Sequence, residues 1–256
     1  MKNIKNTISY GLLISMLIAC KSEKKEIQKP LTTQPEISQT MEKTQTQALE
    51  ERKNNFNAKA DEKTKQIYQE GLDAVVKSGI LENAKKVGDK APMFTLKNAA
   101  GKEVALEDYL KDGPVVLVWY RGGWCPYCNI NLQYLQQELP NMKAQGANLL
   151  ALTPELPDQS ISTKEKHELE FEVLSDIGNH VAKDYGVVFD LTEEVAEIYN
   201  DKFNLNKHNG DNSNQLPLAA TYIIDTDGTI KYAFVDADYR NRAEPKEITA
   251  FLKTMK

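Results

Sequence analysis

The chain has 256 residues, 41% of them hydrophobic and 27% charged, with a formal net charge of −5. That composition lies in the globular range and excludes a chain disordered throughout, and the acidic balance leaves no electrostatic footprint for nucleic acid. Three cysteines are too few to staple a disulfide scaffold, so their positions carry the information.

The first lies at the end of an export signal. Lys2 and Lys5 form a positive n-region, and Ile8 to Ala19 is an apolar run too short to span a bilayer, which takes about 20 apolar residues. The run ends in Leu17-Ile18-Ala19-Cys20, which resembles the lipobox of bacterial lipoproteins. Residues 1–19 are therefore expected to be a lipoprotein signal peptide, with Cys20 receiving the lipid. The expected location is the cell envelope, anchored to the membrane and facing the periplasm or the exterior. From 20 to 55 the composition is Lys, Glu, Gln, Thr and Ser with Pro30 and Pro35. So few apolar residues cannot offset the ordering entropy, and the segment reads as a flexible tether.

Residues 56–256 are expected to form one domain with a helical extension at its start. Tyr68, Leu72, Val75 and Val76 recur at helical spacing and predict a docking helix. After Gly88 strands and helices alternate. Pro114 to Tyr120 is a continuous apolar, β-branched run, the pattern of a strand buried on both faces. A helix follows with Leu132, Leu135, Leu139 and Met142 on one face, stopping near Gly146. Ala147 to Thr153 reads as a second buried strand, and Phe171 to Leu174 as a short one. Val181, Ala182 and Tyr185 mark a short helix ended by Gly186. Thr221–Asp225 and Thr229–Phe234 flank the turn Thr226-Asp227-Gly228 and predict a hairpin. A last helix starts at Pro245 and would bury Ile248, Phe251, Leu252 and Met255. This order is that of a thioredoxin-like α/β fold, a central mixed sheet flanked by helices.

The chemistry resides in Trp124-Cys125-Pro126-Tyr127-Cys128, set between a buried strand and an amphipathic helix. Two intervening residues let both sulfurs meet across the first helical turn. Unpaired N–H groups and the dipole at the helix N-terminus favour a thiolate, the attacking species. A zinc site would need four ligands, whereas His167, His180 and His208 are scattered without ligand spacing. An inert structural disulfide is the other bland alternative, although so short a loop would stabilise little by chain entropy.

The stretch Trp119 to Asn129 resembles the signature of peroxiredoxin-like proteins of the alkyl hydroperoxide reductase/thiol-specific antioxidant family. The likeness extends to Val87-Gly88-Asp89-Lys90-Ala91-Pro92, Leu174-Ser175-Asp176, Ala220 to Asp225 and Asp238 to Pro245. In that family a proline is followed four residues on by a threonine and three further by the peroxidatic cysteine. In the register that the resemblance implies, Arg121 takes the proline's place, Cys125 the threonine's and Cys128 the peroxidatic cysteine's. Thioredoxins instead attack with the first, more exposed cysteine of the pair. On exposure at the helix N-terminus we take Cys125 as the nucleophile, with the family register naming Cys128 as the alternative. The arginine that peroxiredoxins place before the TYIID strand is replaced by Ala219, and Pro217 is out of register for the thioredoxin cis-proline. Arg121, Arg240 and Arg242 are the candidate replacement cations, Arg121 being adjacent to the turn.

The resemblance implies a thiol peroxidase. One cysteine is oxidised to sulfenic acid, the other condenses with it, and a thioredoxin-like dithiol reduces the Cys125–Cys128 disulfide. The catalytic set would be Cys125, Cys128 and Arg121. The expected partners are a hydroperoxide, that dithiol and the membrane, with no nucleic acid and no cofactor. The alternatives are a thiol–disulfide oxidoreductase acting on exported proteins and a binding module with an inert disulfide.

Overall fold

The computed structural model describes residues 43–255. The expected signal peptide, Cys20 and residues 21–42 of the expected tether lie outside the described residues. Within them, the chain is helical well before residue 56. Thr44 caps α1 (Gln45–Lys59) through a capping box: its hydroxyl accepts from the Gln47 N–H at 3.2 Å while the Gln47 side-chain Oε1 accepts from the Thr44 N–H at 3.0 Å. Residues 45–55 are therefore helix rather than tether. The few apolar residues there were enough, because Leu49 and the polar Gln45 are buried against the domain.

Asp61 caps α2 (Glu62–Lys77), which buries Leu72 and Val75 as their spacing predicts, but Val76 is 60% exposed. A short α3 (Ile80–Asn83) leads into β1 (Thr95–Asn98), β2 (Glu103–Ala105) and α4 (Leu106–Asp112). Then come β3 (Val115–Trp119), α5 (Pro126–Ala144), β4 (Asn148–Thr153), α6 (Pro157–Lys166), β5 (Glu172–Ser175) and α7 (His180–Asp184). The remainder is β6 (Val188–Asp190), α8 (Glu193–Phe203), α9 (Leu205–Asn209), β7 (Gln215–Pro217), β8 (Ala219–Ile224), β9 (Ile230–Asp236) and α10 (Pro245–Lys253).

Seven strands form one mixed sheet in the order β2-β1-β5-β4-β3-β8-β9, and β6 pairs with β7 separately. Strands β3, β4 and β5 run parallel, β8 lies antiparallel beside β3, and β9 pairs antiparallel with β8 at the edge. This is the mixed sheet that the order of elements predicts. The apolar run of β3 is explained by its two faces. Val115, Leu117 and Trp119 enter the core on one side, and Val116 and Val118 enter the core under α5 on the other. Full burial of each such side chain contributes about 1.5–3 kcal/mol. On α5, Leu132, Leu135, Leu139 and Met142 are all buried, which fixes that helix on the sheet. The final helix buries Ile248 and Leu252, with Phe251 and Met255 partly buried at its margin. The consequence for function is local: β3 ends at Trp119, α5 begins at Pro126, and the turn between them is held over the carboxyl end of the sheet.

Candidate active site

The turn from β3 to α5 depends on two glycines. Gly122 has φ of +151°, and a Cβ there would sit 2.3 Å from the Trp124 indole nitrogen and 2.8 Å from a Glu155 oxygen. At Gly123 a Cβ would meet the Thr163 hydroxyl at 2.1 Å. The turn is tied down by Gly123 N–H, which donates to Glu155 at 2.9 Å, and by the Asn129 amide, which donates to the Gly123 carbonyl at 2.9 Å. This framing sets Cys125 at the N-cap of α5 and places Pro126 in its first turn, where the absent N–H costs nothing.

Both cysteines are free thiols with their sulfurs 2.7 Å apart. The exposure on which Cys125 was chosen as nucleophile is absent, because Cys125 is 1% and Cys128 0% exposed. Long-range packing by α1, α8 and the segment after β9 covers the helix N-terminus, and no local pattern announces that. Cys125 does line a cavity of about 70 Å³, together with Arg52, Phe56, Trp124, Tyr127 and Tyr239. Cys128 lies behind it.

The charges separate the two sulfurs. Arg242 Nη2 donates to Cys128 Sγ at 3.3 Å. Burial opposes ionisation of Cys128, but the hydrogen bond from Cys125, the Arg242 and Arg121 guanidinium charges and the Arg121 backbone together lower its pKa to about 5. Burial pushes the Cys125 thiol well up, and its hydrogen bond and repulsion with Cys128 push it further. Of the two sulfurs, the surroundings of Cys128 favour the thiolate and those of Cys125 favour the thiol.

The three candidate arginines divide. Arg121 is 2% exposed, with its guanidinium carbon 4.0 Å from the Tyr239 ring centroid, 4.9 Å from Tyr199 and 5.1 Å from Trp124. Burial works against its charge, yet the Tyr199 and Tyr239 phenols and the two cysteines raise its pKa, and it stays protonated. It acts on the sulfurs by charge and through its backbone. Arg242 is the guanidinium in contact. Arg240 is paired with Asp238 at 2.6 Å and points its fork there. Ala219, where the family's arginine was expected, is buried in β8 opposite Asp236. The guanidinium in contact with a cysteine sulfur comes instead from the loop after β9.

Sequence reasoning missed Glu155, which is fully buried under the turn with His208 Nδ1 3.0 Å from its Oε1. An acidic residue just past the carboxyl end of a buried parallel strand was the available signal. It also missed Tyr199 and Tyr239, the aromatic faces around Arg121. His167 and His180 join neither group. Among the described residues no group of three or more His, Cys, Asp or Glu could hold a metal ion, and no helix is long and apolar enough to cross a membrane.

Residues 87–233 match the AhpC/TSA family. A chloroplastic peroxiredoxin Q of Suaeda salsa is 28% identical over 160 residues, covering 62% of this chain and 62% of that protein. The thiol-disulfide oxidoreductase ResA of Bacillus thuringiensis is 30% identical over 108 residues, 42% of this chain and 61% of that one. The chain thus spans about three fifths of the length of these curated relatives. Among solved structures, the peroxidoxin BcpB of Mycobacterium tuberculosis superposes with a TM-score of 0.54 at 20% identity, covering 67% of this chain and 98% of that one. The reduced 2-Cys peroxiredoxin of Plasmodium vivax gives 0.53 at 20% identity, over 67% and 82%. These last two carry the fold, and the family match, which takes in more than half of the chain and both cysteines of the turn, carries the lineage: the protein belongs to the AhpC/TSA family.

Proposed function

We propose that this protein is a thiol peroxidase that reduces hydroperoxides through the Cys125–Cys128 pair. The observation that carries the reading is the Arg242 guanidinium 3.3 Å from the Cys128 sulfur. A guanidinium there favours the thiolate and is placed to bind a peroxide oxygen as charge develops on it. Cys128 is the attacking atom in this reading, as the family register implied, and Cys125 is its resolving partner. The Cys128 thiolate attacks the terminal oxygen of ROOH, breaking the O–O bond. Cys128 becomes sulfenic acid and the departing alkoxide takes a proton to leave as ROH. The Cys125 sulfur, already 2.7 Å away, then displaces hydroxide, which leaves as water with the Cys125 proton. An external thioredoxin-like dithiol reduces the resulting disulfide. Because the cavity opens on Cys125, a peroxide reaches Cys128 when the Cys125 side chain turns aside.

A second reading, a thiol–disulfide oxidoreductase, draws on the likeness to ResA and on Cys125 lining the cavity. Against it stands the division of charge, since the sulfur that lines the cavity, Cys125, is the one whose thiol is pushed up, while the thiolate is favoured at Cys128 behind it. Rapid mixing of the reduced protein with hydrogen peroxide tests the choice. Oxidation to the disulfide with one peroxide consumed supports the peroxidase. Inertness to peroxide alongside reduction of a protein disulfide would favour the second reading.

The lipobox-like sequence at Leu17 to Cys20 supports a lipid anchor on Cys20, with the domain working in the cell envelope against hydroperoxides and dithiols found there.

A further inference from the structure

Gln45 stands outside the segment matched to the family and takes no part in the chemistry above, yet its polar side chain is 0% exposed. Its two ends do different things. The amide nitrogen donates to the Ala243 carbonyl at 2.9 Å, and the amide oxygen accepts from Asn131 Nδ2 at 2.7 Å. Ala243 is the residue after Arg242. Asn131 is three residues beyond Cys128 on α5, hence on the same helix face. A single buried amide therefore spans the element that carries the sulfur and the loop that carries the guanidinium.

The start of α1 reinforces that grip. Thr46 donates its N–H and its hydroxyl to Glu244 at 3.1 and 2.8 Å. Arg242 itself is held by the carbonyls of Tyr239 and Asn241, both of its own loop, so nothing in those bonds fixes the loop relative to α5. A bridge between the two elements does so; beside the Tyr127–Tyr239 ring contact at 5.6 Å, Gln45 makes the hydrogen-bonded one, without exposed partners. Buried amide bonds left half-made are costly, which gives the bridge a defined length.

We propose that Gln45 is a positioning residue that holds Arg242 against the Cys128 sulfur, so that the N-terminal helix sets the reactivity of the cysteine. This deepens the peroxidase reading and rests on Cys128 being its thiolate. A guanidinium that drifts away from the sulfur loses both thiolate stabilisation and its aim at the departing oxygen.

The test uses the full chain with Gln45→Met, which keeps the length and removes both hydrogen bonds without adding a charge. Thiolate absorbance of the reduced protein is titrated against pH, and the peroxide rate is measured over the same range. The midpoint, expected at about 5 in the unaltered protein, should rise by about one pH unit. The rate at low pH should fall at least fivefold and recover in large part at alkaline pH, as no fold defect would. In an Arg242→Met background the same substitution should move the midpoint no further. Leu106→Ala, a core truncation packed on the opposite face of the sheet, should lower stability and leave the midpoint in place. A folded Gln45→Met protein with an unmoved midpoint would overturn the proposal, as would equal shifts with and without Arg242. If Gln45→Met does not fold, Asn131→Leu cuts the same bridge at its other end and is read in the same way. Lack of peroxide consumption by the unaltered chain would end the peroxidase reading, while the titration would still decide the role of Gln45.

Discussion

The Gly123 N–H donates to the Glu155 carboxylate at 2.9 Å, joining the cysteine turn to the strand end beside it. A fully buried carboxylate aimed at a backbone donor makes a charge-assisted bond, stronger than one between neutral groups. Glu155→Ala leaves that donor unpaired, and we expect a stability loss of about 1–3 kcal/mol in urea titrations. Glu155→Gln keeps an acceptor and should lose less. Equal losses would mean that packing, not the bond, is what Glu155 provides.

The two arginines of the site should separate cleanly. Arg242 touches the sulfur, so Arg242→Met should lower the peroxide rate by more than tenfold, about 1.4 kcal/mol of transition-state stabilisation. Arg121 reaches the sulfurs by charge while its guanidinium lies among three aromatic rings. Arg121→Met should therefore cost stability, by about 2 kcal/mol for the buried cation–π contacts, and lower the rate by a smaller factor. Stopped-flow rates and denaturation midpoints of the two variants decide it. A larger rate loss for Arg121→Met would return the principal role to Arg121.

Alkylation should discriminate between the sulfurs as pH is varied. With the Cys128 pKa lowered to about 5 and the Cys125 thiol pushed up, Cys128 should be modified first at mildly acidic pH. Peptide mapping after brief alkylation reads the order directly. Prior modification of Cys125 would restore the thioredoxin-like assignment of roles.

The same shift links stability to pH. Between about 5 and the ordinary thiol value of 9.0, unfolding returns Cys128 to its protonated form and takes up a proton. Stability of the reduced protein should consequently rise as pH climbs through that window. Falling pH should remove the contribution as it passes through about 5. Above 9.0 the raised Cys125 pKa acts in the opposite sense, because the unfolded chain then loses a proton that the folded one keeps. Denaturation of the reduced chain and of Cys128→Ser across this range measures the difference, which should vanish if Cys128 is not ionised.

Anchoring has its own test. Cys20→Ala should abolish incorporation of a radiolabelled fatty acid and leave the redox chemistry of the purified protein unchanged. Undiminished labelling would remove the lipoprotein reading.

What could be read from the sequence was governed by range. The runs of β3, β4 and β8 are buried on both faces and announce themselves in five or six consecutive residues, and the cysteine turn follows from its place between β3 and α5. Thr44 and Gln47 spelled a capping box three residues apart, a local signal for α1 that low hydrophobicity masked. Asp238 and Arg240, two residues apart, could likewise have removed Arg240 from the candidates. The burial of Cys125 was beyond reach, since it depends on helices distant in sequence closing over the turn. So was the choice of Arg242, which meets Cys128 across a separation of 114 residues.

That separation bears on what the smallest working unit of this protein is. The family match stops at residue 233, nine residues before Arg242, and begins at residue 87, well after Gln45. A fragment trimmed to the matched segment would keep both sulfurs, the turn and most of the sheet. It would lack the guanidinium in contact with Cys128 and the amide that bridges its loop to α5. The matched segment holds both cysteines of the turn, whereas Arg242 and Gln45 lie in the flanks on either side of it. Transplanting the WCPYC turn alone into a relative should thus carry both cysteines across without the acidity of Cys128.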